Sequence, residues 1–228
     1  MVSLPRSEQP HYTSEQLNTI VASAASLVDQ GFLVVMGFMG LREGEARHLE
    51  VRDVSGDTLV VRDPKTPAGR RILPTPEAVK PVLTAIIGDR TGTELVFDSP
   101  RLPGQPYAKG YVKKAITRAV AVANQGRRAA DRIPVHSSHA LRHSFAAIAL
   151  SEAGGNLLSV SRALGHARPS ITLNTYGHLA PSGLQQLMHQ VDDFISPIRL
   201  AQSATADDDL DQERGDGNVE AKEDDSAA

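Results

Sequence analysis

The sequence predicts a mainly α-helical domain that carries one small antiparallel β-sheet. Three observations carry that expectation. Apolar residues recur at helical spacing over most of residues 12–200, the later helical stretches stop at Gly or Asn, and the region 58–74 alone switches to short β-branched runs around turn residues.

From the N-terminus, Thr13 offers an N-cap hydroxyl with Gln16 three residues on, and apolar positions at Leu17, Ile20, Val21, Ala24, Leu27 and Val28 predict one amphipathic helix. An apolar run from Gly31 to Leu41 leads into a segment where Leu41, Glu45 and Leu49 keep helical spacing. TLVVRDP and GRRILP, separated by Lys-Thr-Pro-Ala-Gly, predict a β-hairpin. Pro76 and Glu77 suit the first turn of a helix over Ala78 to Ile87, and Val96-Phe97 reads as a short strand or extended segment. YVKKAITRAVAVANQG, SHALRHSFAAIALSEAGG and LLSVSRALGH are three further helices. Leu184, Leu187, Met188, Val191 and Ile195 share one face of a last helix, which docks either on its own domain or on a neighbouring protomer.

Composition narrows the function. The 228 residues include no Cys, so disulfides, thiolate metal sites and thiol nucleophiles are excluded. No apolar run approaches the roughly 18 residues of a membrane span, and the N-terminus lacks a signal-peptide core, so the expectation is a cytoplasmic protein without membrane contact. The formal net charge of −3 conceals an asymmetry: residues 201–228 hold 10 of the 27 acids and 2 of the 24 bases, leaving residues 1–200 with a net of +5. That sign suits a polyanion partner. Residues 101–142 hold nine bases against the single acid Asp131, and Lys109, Lys113, Lys114, Arg118, Arg127 and Arg128 are the candidate DNA-binding residues; a solvated helix face is the alternative. The tail has few large apolar side chains and a strong negative charge, which predicts disorder. The expected organisation is an N-terminal extension over 1–11, one folded unit over 12–200 and an acidic tail over 201–228.

Three separated segments contain the ionisable residues that can carry chemistry: Arg42 in MGLREGEARHLEV, Lys65 in the hairpin turn, and the stretch from His139 to Tyr176. HALRH places His139, Arg142 and His143 within about one helical turn, and Gly165-His166 precedes Tyr176 by ten residues. Taken in order, Gly-Leu-Arg-x-x-Glu, a hairpin Lys, His-x-Leu-Arg-His, Leu-Gly-His and a late Tyr resemble the catalytic domain of the tyrosine recombinases, the phage integrase family, over residues 12–195.

The resemblance implies that fold and a site-specific DNA recombinase acting through a covalent 3′-phosphotyrosine. It implies no metal, ATP or other cofactor, double-stranded DNA as partner, and a homotetramer on DNA that can be a monomer without it. Arg42 and Arg142 would hold the scissile phosphate, because planar guanidinium forks do so bidentately and a Lys does not. Tyr176 would be the nucleophile. By family analogy His139 accepts its proton, while Lys65 is the candidate general acid for the leaving alkoxide. His166 would hydrogen-bond the phosphate, Glu45 would orient Arg42, and His143 and Asp53 match the pattern as structural residues.

Alternatives remain at this level. His136, His139 and His143 have spacings compatible with metal ligands, although no acid lies in residues 133–151 and Arg142 would sit beside the metal. A DNA-binding or regulatory remnant without turnover and a type IB topoisomerase are the other readings. Family members usually carry arm-binding and core-binding domains ahead of the catalytic one. Only about a dozen residues precede the first helix here, which fits either a catalytic fragment or a short natural relative.

Overall fold

A computed structural model describes residues 9–62 and 70–179. The hairpin tip with Lys65, the expected helix over 184–195 and the acidic tail lie outside the described residues. The described elements are helices α1 (Ser14–Ala22), α2 (Leu27–Gly37) and α3 (Glu43–Arg47), strands β1 (Val54–Ser55), β2 (Thr58–Val61) and β3 (Arg71–Pro74), then α4 (Lys80–Ile87), α5 (Tyr111–Ala123), α6 (Ser138–Ser151), α7 (Leu157–Leu164) and α8 (Pro169–Tyr176). The fold is mainly helical with one three-stranded antiparallel sheet, as the sequence predicts.

Thr13 and Gln16 form the expected capping box, each side chain accepting from the other's backbone N–H at 3.2 Å. The helix does not continue to Val28. It ends at Ala22, and Ser26 starts α2 by accepting from the Asp29 N–H at 3.1 Å. The apolar spacing runs through this break because both helices face the same core, while the serines favour a cap over a continuous helix. α2 buries Phe32, Leu33, Val34, Val35 and Met36 and packs against α1, α4, α5 and α6, so it is the central helix of the main core. Such an element reads as a continuous apolar run.

The hairpin pairs Leu59 with Leu73 and Val61 with Arg71, and β1 adds a short third strand that the sequence pattern does not predict. Leu59, Val61, Arg71 and Leu73 face inward while Ile72 is exposed, the period of two expected of a half-buried strand. α4 starts at Lys80 rather than Ala78, with Pro81 in its first turn. Val96 and Phe97 form no strand: they lie in a turn between isolated bridges at Leu95 and Asp98, with the Val96 N–H donating to the Leu49 carbonyl at 2.8 Å.

α6 joins two clusters. Ala140 and Leu141 belong to the main core, whereas Ala146 and Leu150 pack with Val160, Leu164 and Tyr176 of α7 and α8. Two glycines fix the backbone on either side of α6. Gly40, at φ 71°, ends the turn after α2, and a Cβ there would lie 2.5 Å from the Phe145 ring. Gly165, at φ 63°, closes α7 as its left-handed C-cap. No helix among the described residues is long and apolar enough to cross a membrane.

Candidate active site

α3 is only five residues long, too short to hold itself, so side chains fix its place. Arg42 is its N-cap residue. Its backbone N–H donates to Glu45 Oε2 at 2.8 Å, its Nη1 donates to Glu45 Oε1 at 2.7 Å and its Nη2 reaches the Gly165 carbonyl at 3.5 Å. Glu45 is therefore an orienting partner of Arg42, one turn away on the same helix.

Glu45 is also gripped by Arg71, a residue that no sequence motif singles out. Arg71 donates from Nη1 and Nη2 to the two Glu45 oxygens at 3.0 and 2.9 Å, and from Nε to the Ala163 carbonyl at 2.6 Å. Both side chains of this pair are under a tenth exposed. Burial pushes the Glu45 carboxyl up, but the hydrogen bonds and charge of Arg71, with those of Arg42, outweigh it and hold the group below its ordinary range. A signal existed in Arg70-Arg71: successive strand residues face opposite ways, so one of two adjacent arginines must point inward.

Arg142, on α6, is 3% exposed. Its Nη1 donates to the Gly40 carbonyl at 2.5 Å and its Nη2 to the Leu164 carbonyl. The positive φ at Gly40 presents the first of these acceptors, and the end of α7 supplies the second. Neutral carbonyls orient the guanidinium without neutralising it. Burial and the neighbouring Arg42 charge pull Arg142 down to about 9, which leaves it protonated at neutral pH in a setting that favours an added anion.

Two histidines follow along α6. Nδ1 of His143 shares a hydrogen bond with the Tyr176 hydroxyl, and the His139 ring stands edge-on to that of His143 at 4.7 Å between centroids. The phenol thus meets the residue read from sequence as structural, not the histidine assigned by analogy. Tyr176 is 5% exposed, and burial pushes its hydroxyl up to about 12 although Arg142 opposes the shift. His143 is held down to about 4 by burial, then by the neighbouring His139 and Arg142. His166, after the α7 C-cap, bonds Thr172 Oγ1 through Nδ1 at 2.7 Å. Burial, then Arg142, Arg42 and Arg71, hold it down to about 4, while burial, then Arg142 and Arg42, lower His139. Five of the six expected catalytic residues thus share one electrostatic neighbourhood; Lys65 lies outside the described residues. Asp53 is buried and pairs with Arg62.

The basic stretch divides. Arg118 grips buried Asp29 at 2.7 Å and lies 5.5 Å over the Tyr111 ring. Arg127 bonds the carbonyls of Ala123 and Asp131, Arg128 pairs with the Asp131 carboxylate, and Lys113 donates to the His136 carbonyl at 2.8 Å. Lys109 and Lys114 line a cleft of about 350 Å³ with Arg101, Tyr107 and Tyr111. The His136 ring packs on Tyr12 at 4.9 Å, and among the described residues no three His, Cys, Asp or Glu side chains stand together as a metal site.

The chain resembles known proteins in sequence and in fold. The chain is 30% identical over 169 residues to the tyrosine recombinase XerD of Staphylococcus aureus, an alignment covering 71% of this chain and 54% of that protein. It therefore spans about half the length of the curated relatives it matches. Among solved structures, XerA recombinase superposes with a TM-score of 0.64 at 22% identity, covering 82% of this chain and 65% of that one. The catalytic domain of bacteriophage HP1 integrase superposes with a TM-score of 0.57 at 20% identity, covering 85% of this chain and 98% of that one. These likenesses establish the shared fold. The family model described as the phage integrase family matches residues 11–182, three quarters of the sequence and all of the candidate site, and the chain belongs to that family.

Proposed function

We propose that this chain is the catalytic domain of a site-specific DNA recombinase that cleaves and rejoins duplex DNA through a 3′-phosphotyrosine. The observation that carries the reading is the pair of guanidiniums, Arg42 and Arg142, held by carbonyls and one carboxylate beside a tyrosine hydroxyl and three lowered histidines. Phosphoryl transfer asks chiefly for positioning and for neutralisation of the non-bridging oxygens, and two fixed forks supply both.

In the reaction the Tyr176 oxygen bonds to phosphorus as the P–O5′ bond breaks. The phenolic proton passes to an imidazole, and the 5′-alkoxide takes a proton from a general acid, for which Lys65 is the candidate. The structure supports His143 as the first acceptor, since it already touches the hydroxyl and is neutral at pH 7; His139 stands next to it to relay or to bind phosphate. The phosphodiester energy is stored in the new bond, so rejoining needs no ATP. Because Tyr176 is buried, its hydroxyl must turn outward on α8 before attack. Solved relatives include the Tn1549 transposon integrase in complex with circular intermediate DNA and XerH recombinase bound to difH substrate. By extension we assign this chain double-stranded DNA as partner, a homotetramer on it, and a place in the cytoplasm.

The test is a pool of nicked duplexes with randomised cores, which trap a covalent intermediate by losing the short leaving strand. Wild type forms a denaturant-stable protein–DNA adduct, whereas Tyr176→Phe forms none and binds DNA with unchanged affinity. An adduct in Tyr176→Phe overturns the mechanism.

A further inference from the structure

Beside Arg42 lies a second acid, distinct from the Glu45 that orients it. Glu43, the first residue of α3, accepts the backbone N–H of Gly110 at 3.0 Å through Oε1 and the hydroxyl of Ser138 at 2.7 Å through Oε2. Gly110 is the N-cap of α5, and Ser138 is the first residue of α6, immediately before His139. One carboxylate therefore bridges the N-termini of two helices, where the positive ends of their dipoles favour an anion.

We propose that Glu43 is a positioning residue for the recombination reaction, fixing the distance between the Arg42 guanidinium and the His139–Arg142–His143 face of α6; the proposal rests on the recombinase reading. Arg42 and Arg142 belong to separate elements 100 residues apart in sequence, and two forks can share one phosphate only if those elements keep their spacing. α3 is a single turn whose Ala46 is buried in the main core and whose N-cap Arg42 reaches the Gly165 carbonyl; three further side-chain ties place it. Glu45 joins it to β3 through Arg71, Arg47 joins it to the Tyr107 carbonyl ahead of α5, and Glu43 alone of the three reaches α6. Cutting the Glu43 tie leaves both guanidiniums present and charged but lets their separation drift.

The test compares wild type with Glu43→Ala, Glu43→Gln, Ser138→Ala and the double variant Glu43→Ala/Ser138→Ala, at saturating DNA from the nicked pool. Glu43→Ala lowers the rate of adduct formation roughly 10- to 100-fold, the range expected when reacting groups are misplaced by up to about 1 Å, while Kd stays within about threefold. Glu43→Gln restores most of the rate, because an amide still accepts from Gly110 and the Ser138 hydroxyl can turn to meet it. Ser138→Ala falls between, and costs little more once Glu43 is already Ala. A second readout needs neither DNA nor turnover: the ring C–H signals of His139 and His143 in the proton NMR spectrum shift or broaden in Glu43→Ala. Wild-type rates in Glu43→Ala, additive losses in the double variant, or unmoved histidine signals overturn the proposal. Should wild type itself give no adduct, the recombinase reading fails while the histidine spectra still decide whether Glu43 sets the geometry.

Discussion

Replacing Arg71 with Met tests whether the Glu45 carboxylate is as dependent on its partners as its burial implies. The substitution keeps an unbranched apolar stem on the inward face of β3 but removes both donors to Glu45 and the donor to the Ala163 carbonyl. Glu45 is left with Arg42 alone, whose side chain is 37% exposed and supplies a weaker field. Breaking a buried pair from one side costs about 3–5 kcal/mol, because the remaining charge has lost its compensation. Little screening reduces that figure, since both partners are under a tenth exposed. For a folded unit of this size the loss lowers Tm by roughly 6–20 °C. Arg71→Met/Glu45→Leu should be more stable than Arg71→Met, since no unpaired carboxylate remains. The assay is thermal and urea unfolding followed by circular dichroism. A loss below about 1 kcal/mol in Arg71→Met, or a double variant less stable than Arg71→Met, would refute the reasoning. Linkage gives a further check. The Glu45 pKa is lower in the folded state, so its contribution is complete above the ordinary value of 4.5 and declines as pH falls through the folded value; Arg71→Met flattens that acid-side loss.

The same site yields three more expected outcomes. Arg142→Lys retains charge but cannot reach the Gly40 and Leu164 carbonyls together while facing a phosphate, so adduct formation drops at least about 100-fold and DNA affinity changes little. His143 and His166 are held down to about 4 against an ordinary 6.5, so the unfolded chain binds more protons between those values. Stability is then complete above 6.5 and declines towards pH 4, and a His143→Phe/His166→Phe variant shows a shallower decline in the same unfolding titration. Cleavage in excess EDTA proceeds at the untreated rate, since the arginines neutralise the phosphate charge that a metal would otherwise neutralise; inhibition reversed by zinc would favour the histidine-cluster alternative instead.

The relation between Tyr176 and His143 bears on how such a site rests. A phenol at about 12 buried against Leu150, Val160 and Leu164 is a poor nucleophile. The guanidinium pair is already organised around carbonyls and Glu45, so the electrostatic part of the site is preformed while the tyrosine hydroxyl is buried. Binding of a phosphate between the guanidiniums would add an anion beside Arg142, which among the described residues donates to the Gly40 and Leu164 carbonyls, and would change the field at the phenol.

The sequence by itself determined the class of fold, most of the helices and the candidate site residues, because those depend on local periodicity, capping and motif order. Thr13 with Gln16, the turn residues of the hairpin and Arg42, Arg142 and Tyr176 in order are all local in that sense. Only the tertiary structure decided who touches whom. The break at Ser23–Ser26 is invisible to apolar spacing because α1 and α2 share one core. Arg118 reads as free for DNA in the sequence, yet Asp29, 89 residues away, lies beneath it. His143 rather than His139 meets Tyr176 because α8 packs across α6 at one particular rotation, and Arg71 reaches Glu45 because the hairpin folds back on α3. Each of these is a contact between elements distant in sequence, set by how two faces pack, and no spacing within a single segment encodes it.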